Sequence, residues 1–308
     1  MKKLNNSRII KVLFARWSIV VCICILLLMI LASIFAPVVT RYEPNVSDLT
    51  STWQGASLEH PLGTDGLGRD VLTRIIYGGR VSFVVGFVSV FIAGFIGIVI
   101  GLAAGMRGGV VDSVLMRIMD AMSSIPLIIL ALFLGNIFGK GLFNICLAIG
   151  ISMTPSYARL TRSQVLTTKS ADYVMAGSLC GATSIKNTIK HVLPNCLPYI
   201  IVSMTTTLGA AILVESSLSY LGMGINPPTA TWGSMVYDGY KKLSTNPIVA
   251  IAPGVCIMIV VLCFSMVGDA LRDALDPKLR GTMGKMNKKR RGLLKHAKSV
   301  FCGSRTAK

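Results

Sequence analysis

Charge is scarce in this chain, and acidic residues are the scarcest charged type. Of 308 residues, 14% are charged, with 13 Asp and Glu against 31 Lys and Arg. A soluble globular protein averages about 25% charged residues. Apolar residues make up 53% of the chain and mean hydropathy is +0.67, which points to a membrane protein. His60, His191 and His296 fall in three separate regions, so neither a catalytic constellation nor a metal site is expected. The eight cysteines include no CxxC pair, and most lie in apolar segments. They read as small apolar fillers, not as a disulfide framework or zinc ligands. No GxxxxGK(S/T) phosphate loop occurs, so the chain cannot hold ATP by that device. Internal repeats are missing and intramembrane acids are few. Both absences weigh against the alternative of a self-sufficient secondary transporter or channel.

The net charge of +18 is unevenly placed. Twelve of the 31 Lys and Arg follow Leu271, and five precede Trp17. Charge at chain ends beside apolar spans suits anionic lipid headgroups and topology control. Aromatic and basic residues do not interleave as a nucleic-acid platform would need, so nucleic acid is not an expected partner.

Apolar runs predict an all-α integral membrane protein with six transmembrane helices. Residues 1–16 are polar and basic, and 17–39 form a first span of 23 residues, enough to cross a ~30 Å hydrocarbon core. That run is too long for a signal-peptide core of ~7–15 residues. Residues 40–80 read as an extracytoplasmic loop that closes in a short interfacial helix, with Val71, Leu72, Ile75 and Ile76 at helical spacing. The transmembrane core follows over 81–271, with spans near 81–104, 114–138, 142–157, 199–221 and 247–271. Gly97, Gly101 and Gly105 are spaced for close helix packing, and Pro126 is placed to kink the third span. The tail, 272–308, is basic, and its last 28 residues are weakly patterned, which predicts a disordered or lipid-associated segment. Six spans put both termini on one side, where 24 of the 31 basic residues then fall, against 7 on the other. The positive-inside rule makes the richer side cytoplasmic.

A polar-to-basic island interrupts the apolar pattern at 171–198, ADYVMAGSLCGATSIKNTIKHVLPNCLP. It predicts two short helices joined at Gly181, where a positive φ costs little. Asp172 is placed to cap the first helix and Thr183 or Ser184 the second, and Pro194 is expected to end it. Ile185, Ile189 and Val192 share one side at i, i+4, i+7. Such a stripe fits a groove on a partner, or packs on the chain's own spans.

Four stretches, HPLGTDGLGRDVLTRIIYGGRVS (60–82), GMRGGVVDSVLMRIMDAMSSIP (105–126), ESSLSYLGMGINPPTATWGSM (215–235) and GDALRDALDPKLRG (268–281), resemble signatures of one family. It is the family of ABC-importer permeases for dipeptides, oligopeptides and nickel, and the match is to the shorter of the two permeases of such a system. The resemblance implies the transmembrane domain of a type I ABC importer and a chain that forms half of a translocation pathway. It implies partners: a second homologous permease, two ATP-binding subunits and an extracytoplasmic solute-binding protein. ATP would sit on partner subunits, with no cofactor on this chain. The island, within a coupling loop of about 158–198, resembles the family's cytoplasmic EAA loop. Met175, Ala176 and Gly177 take the EAA positions, Gly181 is the loop glycine, His191 takes the Ile position, and Leu193 and Pro194 end the motif. Met175 replaces the family's Glu, so the carboxylate's contact is not carried over.

Charges within spans carry functional hypotheses by default. Arg117 is spaced to reach Asp120 or Ser113 on its own helix. Glu215 has no local partner in this reading. It is expected either to pair with another subunit or to face the pathway.

Overall fold

The computed structural model describes residues 16–275. The basic N-terminal segment before Arg16, the tail beyond Leu275 and the end of the 268–281 signature lie outside the described residues. Within them the regular structure is helical, apart from one isolated bridge between Thr64 and Asp70.

Helix α1 (Trp17–Ile34) is followed by the short α2 (Ala36–Val39) and a long loop. Helix α3 (Val71–Arg107) is a single rod of 37 residues, about 55 Å at 1.5 Å per residue. Asp70 starts it by accepting the Thr73 N–H at 2.7 Å, and Gly108 stops it at φ +68°. The expected interfacial helix is therefore the first turns of this rod, and the boundary expected at 80/81 falls inside it. No breaker separates the two parts: the glycines at 78 and 79 are buried against neighbours and stay helical.

The third span is broken rather than kinked. Helices α4 (Gly109–Ser123) and α5 (Leu127–Phe138) meet at 95°. Pro126 cannot donate the next helical bond, and it holds the preceding residue out of the helical region.

Helix α6 (Leu142–Lys169) runs well past the expected end near Tyr157 and carries Pro155 in its interior. Four described helices, or five with the bent pair as one, are long and apolar enough to cross a membrane, and α6 is not among them. Three of its polar residues, Ser152, Thr154 and Thr161, are buried by the protein instead. Ser152 and Thr154 donate to carbonyls one turn back at 2.7 and 2.9 Å, a local pairing that satisfies hydroxyls inside a helix.

The central contact is α3 on α6. A Cβ at Gly97 would lie 2.4 Å from the Tyr157 Cβ, at Gly101 2.5 Å from the Thr161 Cβ, and at Gly105 2.6 Å from a Val165 methyl. The glycine stripe thus lets two backbones approach closely, and any side chain on it would have to push the rods apart.

The island follows as α7 (Asp172–Leu179) and α8 (Ser184–Asn187). A π-helical turn over Thr188–Val192 then leads into α9 (Leu193–Tyr220). Pro194 does not end the second helix. It occupies the first turn of α9, where its missing N–H is tolerated, and the wider π turn gives its ring room. Helices α10 (Trp232–Tyr240) and α11 (Ile248–Leu275) complete the fold.

Pairwise contacts fix the direction of each pass. Gly86 meets Ile212 and Gly94 meets Met204, so α3 and α9 are antiparallel, and Gly209 and Gly268 fix α11 against α9. Ser33 lies against Gly79, and Arg16 pairs with Asp273 at 3.4 Å. The chain makes six passes, with both described ends on the same side as the island.

Candidate functional site

The island is a small ordered platform. Gly181 turns the chain between α7 and α8 at φ +80°, and a Cβ there would meet nothing within 4 Å. The demand on this position is conformational, not steric. Thr183 caps α8 by accepting the Lys186 N–H at 3.4 Å. Asp172 lies inside the first turn of α7, where its charge suits the helix dipole. The two helices touch at Gly177, where a Cβ would lie 2.8 Å from the Asn187 Oδ1. Asn187 in turn donates from Nδ2 to the Val174 carbonyl at 3.4 Å. His191 packs edge-on to Tyr173 with ring centroids 6.4 Å apart. Leu193 and Pro194 form the base from which α9 rises.

The apolar stripe divides between its two readings. Val192 is fully buried in the chain's own core, while Ile185 is 73% and Ile189 61% exposed. Leu179 is 88% exposed, and Met175 and Tyr173 are half-exposed beside them. Ala176 and Gly181 also lie open. The island therefore offers an apolar surface flanked by Lys186 and Lys190, held by a capped turn and two short helices.

At the other end of the bundle the buried charged groups are met within the chain. The Trp232 indole donates to the Ile75 carbonyl at 2.9 Å and stands edge-on to Phe83. Trp232 is 1% exposed, so it anchors α10 and is not available as a docking side chain. Thr231 and Ser234 form a reciprocal cap on α10. In the loop before α3, the Asp65 carboxylate takes the Arg69 guanidinium at 2.7 Å and lies 3.5 Å from Arg74, both arginines being buried. Arg74 also donates to the Pro44 and Pro228 carbonyls at 2.8 and 3.4 Å. The Asp48 carboxyl is held below its usual value by the Thr50 and Ser51 hydroxyls and the Thr50 N–H.

Glu215 is fully buried and has local partners, contrary to the sequence reading. Ser219 donates to it at 2.8 Å, Ser82 of α3 at 3.3 Å and Ser216 at 3.4 Å, and Thr231 donates to Ser219 at 3.4 Å. It ties α3, α9 and the start of α10 together and faces no other surface. Ser219, one helical turn ahead, was the available sequence signal; Ser82 was not, because it lies 133 residues away.

The α4 charges also pair differently from expectation. Asp112 takes Arg162 of α6 in a bidentate pair at 2.5 and 2.6 Å. Asp120 lies 3.5 Å from Arg159, and Arg117 is exposed with neither expected contact. An apolar cavity of about 340 Å³ opens between Ile128, Tyr220, Val236 and Ile257. Among the described residues no group of His, Cys, Asp and Glu could hold a metal.

Residues 97–281 match the family described as binding-protein-dependent transport system inner membrane component. The chain is 43% identical over 267 residues to the dipeptide transport system permease protein DppC of Escherichia coli (strain K12), covering 85% of this chain and 89% of that protein. It is 40% identical over 256 residues to the oligopeptide transport system permease protein OppC of Bacillus subtilis (strain 168), covering 83% and 84%. Its fold is similar to that of a chain from an inward-facing MetNI methionine ABC transporter, with a TM-score of 0.55 at 22% identity, covering 67% of this chain and 98% of that one. The chain belongs to the family of inner-membrane permease components of binding-protein-dependent transport systems, and it is a permease subunit of an ABC importer.

Proposed function

We propose that this permease carries peptides into the cytoplasm as one half of a heterodimeric path. A second homologous permease supplies the other half, two ATP-binding subunits dock from the cytoplasm, and an extracytoplasmic solute-binding protein delivers the peptide to the far end. The observation that carries docking is the exposure of Ile185, Ile189 and Leu179 on an ordered, capped island. Burying an Ile side chain is worth roughly 1.5–3 kcal/mol, so two of them suffice to anchor a transient interface. The absence of a phosphate loop from the sequence supports ATP hydrolysis on partners. The 24-to-7 distribution of basic residues supports a cytoplasmic island and cytoplasmic termini. The relatives named for dipeptide and oligopeptide transport support peptides as the cargo.

The test is reconstitution of the permease pair and ATPases in liposomes, with the solute-binding protein outside. Labelled dipeptide or oligopeptide should accumulate only with ATP and all subunits present. Accumulation of nickel but not peptide would overturn the cargo, and accumulation without the ATPases would overturn the mechanism.

A further inference from the structure

Helix α6 runs straight into the island, with the Ala171 N–H bonding back to the Thr168 carbonyl at 3.1 Å. Along its island half, three basic residues reach across to neighbouring helices, Lys169 to the end of α3 and the two arginines to α4. Lys169 donates from Nζ to the Met106 carbonyl at 2.6 Å. Arg162 grips Asp112 with two parallel bonds. Arg159 donates to the Ser123 hydroxyl at 2.8 Å and lies 3.5 Å from Asp120. The two arginine contacts take hold of α4 in its first turn and again in its last.

Little else holds α4. Of its 15 residues only Met119 is buried. At one end stand Gly108 and Gly109, both at positive φ, where an added Cβ would meet nothing within 4 Å. At the other is the 95° break before α5. The contrast with the α3–α6 seam is plain: there glycines sit within contact of backbone, and independent sliding is blocked by sterics. A segment jointed at both ends and held by charge can change position without opening a cavity. A bidentate guanidinium–carboxylate pair also fixes orientation while attached.

We propose that Arg162 and Arg159 are the linkage by which displacement of the island is passed through α6 to the broken span. In this arrangement α4 swings about Gly108–Gly109 as the pairs to Asp112 and Asp120 loosen and re-form. The inference deepens the docking reading above and rests on it for the force that moves the island. Both arginines are positioning residues: they touch no cargo and act through α4.

The experiment uses the full complex of both permeases, ATPases and solute-binding protein. Asp112→Arg and Arg162→Asp are made singly and together. Each single reversal should leave the complex assembled, lower uptake on the order of tenfold and abolish stimulation of ATP hydrolysis by the binding protein, and the swapped pair should recover most of both. Arg162→Lys keeps the charge but loses the fork. It gives an intermediate loss and serves where a reversal prevents assembly. Spin labels at Val110 and Leu166, both exposed, placed in a background with the native cysteines removed, should report a second distance in the ATP-trapped state. Uptake unchanged in the single reversals, or one unchanging distance with and without ATP, would make the pairs fixed staples and overturn the proposal. The wild-type complex separates the two claims. Failure of its ATPases to bind contradicts the docking reading, whereas normal coupling in Asp112→Arg contradicts this one.

Discussion

The two ends of the bundle are built on opposite plans. At the far end, Trp232, Glu215, Asp65, Arg69 and Arg74 are buried and each finds its partner in the same chain. At the island end, Leu179 and Ile185 stand open on helices of 8 and 4 residues, and Ile189 on the π turn that follows. Helices so short are not stable alone in water. The far end meets its own buried polar groups, whereas the island leaves an apolar surface open, the one the proposed docking would cover. Substitutions should therefore damage stability at the far end and assembly at the island, and the contrast fails if the two effects are exchanged.

The largest stability effect is expected from Trp232→Ala. It removes a buried ring and the bond to the Ile75 carbonyl, and the loss should be about 3–5 kcal/mol. A thermal melt of the purified permease in detergent checks it. A melt like that of the wild type would mean the far end is not held by α10. Gly181→Val comes next. The side chain meets no neighbour but must adopt φ +80°, at a cost of about 1 kcal/mol or more. The melt should barely move, because the strain is local. ATPase recovery and uptake should fall together as Ile185 and Ile189 are re-aimed, and normal values of both would contradict the island's role.

The smallest effect is a dependence on acid at the far end. The folded Asp48 carboxyl is held low by its hydroxyl and N–H donors. Its contribution is present above the unfolded value, about 3.9, and is lost as pH falls through the lower folded value. Removing these bonds by Asp48→Ala should therefore lower the melting temperature slightly at neutral pH, with the difference from wild type shrinking below about pH 4. A difference that grew in acid would have the wrong sign.

Some of this contrast was legible in the sequence and some was not. The GxxxG stripe, the Gly181 turn and the Thr183 cap are local patterns with local physical causes, and they appear where spacing put them. The expected end of α6 near Tyr157 falls short because Arg159, Thr161 and Arg162 close the apolar run there, whereas in the fold Thr161 is covered by protein and Arg162 pairs with Asp112. Pro194 was misread as a stop because a proline in a first turn and a proline after a last turn look alike in one dimension; the π turn before it decides the matter. The Asp112–Arg162 pair lies 50 residues apart in sequence, and no local rule anticipates it. Glu215 was half legible, since Ser219 stands at i+4, but Ser82 required the α3–α9 packing.

Accessibility of the island tests the central claim most directly. In a background without the native cysteines, Ile185→Cys would be treated with a maleimide, first in the purified permease pair and then in the complex with its ATPase subunits. An exposed side chain at a surface completed by a partner should be modified rapidly in the pair and protected in the complex. Protection should disappear when the ATPases are removed. Equal modification in the pair and in the assembled complex would contradict the account, because the island would then be free while the transporter is whole.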